Sequence, residues 1–141
     1  MTNALSIPNN GNQTNMLSTI TMDTMHDKNR ALRALNSAES LAAAVVPDRD
    51  TFDVVDIFQV PGVRRSRIEG VDDMPCRNTY FLLADGRALM TQSDGIARSC
   101  EMLLALYPEC GRETEKGYIT LAVHENKLQN GNTTKSVYPV D

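Results

Sequence analysis

Apolar residues follow two different rhythms along this chain, after an opening stretch that is mostly polar. Met1 to about Asn15 is rich in Asn, Thr and Ser, a composition that cannot bury a core. Residues 1–25 are therefore expected to form a disordered lead-in. Between His26 and Val46 the pattern changes. Leu32, Leu35, Leu41 and Val45 recur among several alanines, which predicts an amphipathic helix within residues 26–50. Pro47 ends it, because the residue before a proline is pushed out of helical geometry. Such a helix is marginal alone in water, so its Leu/Ala face is expected to dock on the domain or on a second copy.

From residue 51 onward a strand-and-turn rhythm takes over. Phe52 to Val60 (FDVVDIFQV) is rich in β-branched and aromatic residues and is stopped by Pro61-Gly62. A polar loop, Val63 to Cys76, follows. Thr79–Ala84 and Arg87–Thr91 form a hairpin around the tight-turn pair Asp85-Gly86. Ser93 or Asp94 then offers a helix N-cap, and Ile96, Cys100, Leu103, Leu104 and Tyr107 recur at helical spacing until Pro108 and Gly111. Tyr118–His124 alternates, with Ile119, Leu121 and Val123 on one face and Tyr118, Thr120 and His124 on the other. Asn130-Gly131 marks a last hairpin turn into Thr133–Val140. This order predicts a mostly β fold with one or two helices. It fits a five-stranded OB-like barrel over residues 51–141, with a helix between strands 3 and 4. An open α+β sheet built from the same elements is the rival architecture.

At 141 residues the chain fits one domain with a modest core. The net charge of -4 argues against coating duplex DNA by bulk electrostatics, yet it leaves room for a local basic groove. Cys76, Cys100 and Cys110 show no C-x-x-C spacing, and Cys100 falls on an apolar helix face, so reduced and inert thiols are expected. Neither a secretory signal nor a run of about 18 apolar residues is visible, which predicts a cytoplasmic protein with no membrane partner.

Catalysis finds little footing. His26 and His124 have no companion nucleophile, and the carboxylate pairs Asp53/Asp56 and Asp72/Asp73 lack a recognisable acid–base frame. No metal-ligand cluster or glycine-rich phosphate loop is present, so no metal, cofactor or catalytic residue is expected. Binding of a single strand fits better, since it combines a cationic groove with aromatic faces for the bases. The candidate cations are Arg64, Arg65 and Arg67 in the first long loop, Arg77 at the second strand, and Lys127 and Lys135 at the last hairpin. Tyr118 and Tyr138 are expected to face outward. Tyr80 is taken as exposed in preference to Phe81, because its hydroxyl tolerates water. Phe52, Phe58 and Tyr107 are expected to pack inside.

The segments NTYFLLADGRALMTQSDGIARSCEMLLALYP and GYITLAVHENKLQNGNTTKSVYPV together resemble the small single-stranded DNA-binding proteins of bacteriophages and mobile elements. In that layout a hairpin runs into a Ser-Asp-Gly helix start, and a last hairpin turns at Asn/Gly. The resemblance implies an OB-fold and oligomeric coating of single strands. It also implies a role in replication or recombination within a bacterial host or phage-infected cell. The acidic balance and the helix near 31–46, a candidate contact between copies, keep a second reading open: a protein-interaction or structural accessory module.

Overall fold

The structure is a computed structural model and describes residues 16–140. In chain order it contains α1 (Met25–Ser37), β1 (Glu39–Ser40), α2 (Leu41–Ala44), β2 (Thr51–Arg64), β3 (Met74–Leu83), β4 (Ala88–Thr91), α3 (Asp94–Leu106), a 3-10 turn (Cys110–Glu113), β5 (Ile119–Lys127) and β6 (Thr133–Pro139). The fold is mostly β. Its six strands form one sheet in the order β1-β4-β3-β2-β5-β6, curled into a half-barrel. All neighbours are antiparallel except β1 and β4.

Two features correct the five-stranded barrel. Glu39–Ser40 adds a sixth strand beside β4, so the helix follows the fourth strand of six. The sheet also stays open, with β1 and β6 as its two edges and α3 packed into its hollow. Ser93 caps that helix by accepting from the Ile96 N–H at 3.2 Å. Its buried face of Ile96, Ala97, Cys100, Leu103 and Leu104 fills the hollow of the sheet. Gly95 lets the first turn touch β6, since a Cβ there would collide with the Lys135 carbonyl.

The expected strand ending at Val60 instead runs to Arg64 and includes a bulge. Val54 pairs with Leu83 and Asp56 with Leu82, leaving Val55 as the extra residue. The shift puts Phe52, Val54 and Ile57 together in the core under α3 with Phe81, Leu89, Leu121 and Val137. It also turns Asp56 and Phe58 towards the opposite face. There Phe58 and Tyr80 stack at 4.9 Å with 7° between their planes, beneath Ile20, Ala31 and Ala34.

The N-terminal part differs most from expectation. The single helix over 26–46 is two helices, split by Ala38 and β1. Ala31 and Ala34 face the sheet, because only small side chains allow the helix close to the aromatic stack, and Leu32 and Leu35 are left exposed. Leu41 and Val45 belong to the core on the α3 side, so they cannot join Leu32 and Leu35 in one contact face. Residues 16–20 are not a free lead-in. Leu17 accepts from the Gln59 N–H at 2.8 Å, and the Thr19 N–H donates to Ile57 O at 2.9 Å, filling the β2 edge that β5 leaves beyond Val54. The expectation for residues 1–15 lies outside the described residues.

A buried ionic cluster fastens these parts together. The fully buried Asp56 carboxylate meets Arg30 of α1 at 2.7 Å, Arg112 of the 3-10 turn at 3.0 Å, and the Thr19 hydroxyl at 2.7 Å. Arg112 also donates to Thr19 O. Removing the central carboxylate strands two guanidiniums that are only partly open to water. Asp56→Ala is therefore expected to lower stability by about 3–5 kcal/mol in a denaturant titration. A midpoint unchanged from wild type would show that the cluster is not a fastening.

Candidate functional site

Beyond Gln59 and Thr79 the β2–β3 pair loses its other strand neighbours. Five rungs, from Val60–Asn78 to Arg64–Met74, continue as a two-stranded ribbon closed by a turn at Gly70, whose φ is 83°. Pro61 and Gly62, expected to stop the strand, lie within it. A proline that donates no hydrogen bond is tolerated where a ladder has a free side. Gly62 is required because the Asn78 side chain occupies the space a Cβ would take. The expected loop over Val63–Cys76 is thus shortened by the ribbon's two arms.

The ribbon gathers Arg64, Arg65 and Arg67 around one open groove, with Val63, Ser66 and Gln92. Their situations differ. Arg64 donates to Gln92 O at 2.6 Å and stands 3.6 Å from Asp94, tying the ribbon to the start of α3. Arg77, on the other arm, is largely covered and pairs with Glu101 further along that helix. The Gln92 amide bridges Asn78 Oδ1 at 3.0 Å and Val63 O at 3.3 Å. Arg65 and Arg67 are exposed and make no ion pair among the described residues. Asn78 and Gln92 escaped the sequence reading, since a neutral amide in a polar stretch carries no periodic signal.

The aromatic candidates do not join this groove. Tyr80 is 6% exposed and stacked under α1, where burial also pushes its hydroxyl pKa up. The expectation that it faces water fails because α1 covers that face of the sheet. Tyr118 is half-buried just before β5, ahead of the buried Ile119, and lies by the Val54 end of the β2–β5 ladder, far along β2 from Arg64. Tyr138 is exposed on β6 and meets the edge of the His124 ring at 6.4 Å. His124 Nδ1 lies 2.7 Å from Asp48 Oδ1. That contact and the Glu125 N–H hold the Asp48 carboxyl below its usual range. Lys127 is exposed at the far end of β5, and Lys135 is half-buried on β6 beside the start of α3.

Among the described residues there is no group of three metal-ligating side chains, and every buried side-chain nitrogen or oxygen has a partner. No helix among them is long and apolar enough to cross a membrane. Cys100 and Cys110 are buried and Cys76 is half-buried. Burial pushes the Cys110 thiol up to about 12 and raises Cys100 and Cys76 as well. A chromogenic disulfide reagent at mildly alkaline pH is expected to label Cys76 first, reaching the other two only in denaturant. Equal labelling of all three in native buffer would contradict this burial.

No known protein family, curated protein or solved structure matches the chain.

Proposed function

We propose that the chain binds single-stranded DNA without catalysing a reaction, and that the β2–β3 ribbon is its main contact. The observation that carries this reading is the groove shared by Arg64, Arg65 and Arg67, in which Arg65 and Arg67 make no ion pair among the described residues, the nearby Asp73 carboxylate being held by the Ser66 N–H at 2.7 Å. Guanidinium groups pair well with phosphate oxygens, and a single strand is flexible enough to follow a ribbon. With Tyr80 buried, the reading leans on phosphate contacts, and the exposed ring of Tyr138 is the remaining surface for a base near β6. Lys127 and Lys135 would extend the cationic track along the β5–β6 hairpin. Oligomeric coating of strands in phage or mobile-element replication or recombination, in the cytoplasm of the host, is the setting that the resemblance suggests.

A second reading has its own observation. Val63, Ile68, Val71 and Met74 are all more than half exposed on the same ribbon, and apolar side chains so placed suit a protein partner. Fluorescence anisotropy with labelled oligo-dT at two salt concentrations separates the two. Saturable, salt-weakened binding is expected. Replacing both Arg65 and Arg67 by Ala should weaken it about tenfold at low salt and reduce the slope of log affinity against log salt by about 1.4. The thermal midpoint should not move, as neither side chain is tied to the fold. Absence of binding at micromolar protein and low salt would favour the protein-interaction module.

A further inference from the structure

Two hollows adjoin at the β3–β4 turn, well away from the ribbon groove. The first, of about 220 Å³, lies between α1 and the turn, and its walls carry His26, Arg30 and Arg33 from the helix and Arg87 from the turn. Positions 26, 30 and 33 are spaced i, i+4 and i+7, so they form one stripe of α1. The second, of about 460 Å³, carries Tyr118 together with Asp53 and Asp85. Leu83 and Arg87 line both.

The guanidiniums of the first hollow are unequally occupied. Arg30 is committed to Asp56 and stands 3.6 Å from Asp27. Arg87 pairs with Asp85 at 2.8 Å, with both side chains more than half exposed, and Glu39 is the other carboxylate that acts on it. Such an exposed pair is worth little, so Arg87 is free to turn to a stronger acceptor. Arg33 is exposed and has no ion pair among the described residues. A cavity with one unengaged and one loosely engaged guanidinium suits a phosphate, whose oxygens match the donor fork. The aromatic hollow next to it suits the group a nucleotide carries beside its phosphate.

We propose that these adjoining hollows hold a single nucleotide, with its phosphate between Arg33 and Arg87 and its base against Tyr118. A free nucleotide and the phosphorylated end of a strand present the same chemistry. The site uses none of the ribbon's residues and goes beyond the reading given above.

Calorimetric titration of the full chain with thymidine 5′-monophosphate, thymidine and inorganic phosphate tests it. Saturable binding of the monophosphate at one per chain is expected, with thymidine and phosphate each at least about tenfold weaker. Arg33→Ala, at an exposed position that the fold does not use, should weaken the monophosphate about tenfold. Arg87→Ala and Tyr118→Leu should weaken it as well, while the Arg65/Arg67 double substitution leaves it unchanged. No saturable heat at millimolar monophosphate, or wild-type affinity in Arg33→Ala, overturns the proposal whatever oligo-dT does at the ribbon. Displacement of the monophosphate by 5′-phosphorylated but not 5′-hydroxyl oligo-dT identifies a strand end as the natural ligand. Displacement by neither identifies the free nucleotide.

Discussion

The carboxylate of Asp56 sits where four pieces of backbone meet, and the arrangement around it follows from the extra residue in β2. A strand bonded to β5 on one side as far as Val54 must find another partner once the bulge swings it away. Residues 17–19 supply that partner through backbone hydrogen bonds, and the 3-10 turn fills the corner between them and β5. Gly111 makes the corner possible, since a Cβ there would stand 2.6 Å from Gly117 O and 2.9 Å from Val54 O. Packing these pieces together places a carboxylate in the interior, and Arg30 and Arg112 each pair with one of its two oxygens. A buried charge of this kind is costly unless paired, so the cluster ties α1 and the turn to β2.

The same fastening decides which surfaces remain for binding. With α1 held over Phe58 and Tyr80, one face of the sheet loses its aromatic platform, while α3 occupies the other face. What stays open lies at the margins. One margin is the ribbon that outruns its neighbours, and another is the turn where α1 passes Arg87. Both carry arginines, although the chain as a whole is acidic, and each has a carboxylate beside it, Asp73 at the ribbon and Asp85 at the turn. A local arginine cluster is invisible in a net total, because the total sums every charge wherever it stands.

Local chemistry made much of this legible in the sequence. The α3 helix, with its Ser93 cap and its Ile96–Cys100–Leu103 stripe, follows from spacing alone. The turns at Asp85-Gly86 and Asn130-Gly131 follow from glycines that adopt positive φ, 92° and 86°. What stayed hidden depends on partners distant along the chain. Nothing in FDVVDIFQV reveals that Val55 is unpaired, because the bulge exists to serve contacts with residues near 19 and 112. Two residues, Glu39 and Ser40, are too few to carry a period, and they become a strand only because the β4 edge lies beside them. Tyr80 was misplaced for a related reason. Alternation gives the face a side chain takes, and whether that face meets water depends on a helix fifty positions upstream in the chain.

At the open side of the curled sheet β6 meets the first turn of α3, where Gly95 lies against the Lys135 carbonyl, instead of a further row of hydrogen bonds. A closed ladder widens only by breaking or slipping its rungs. A clasp made of packed side chains is set instead by side-chain volume, so any residue larger than glycine at position 95 must push the helix away from β6.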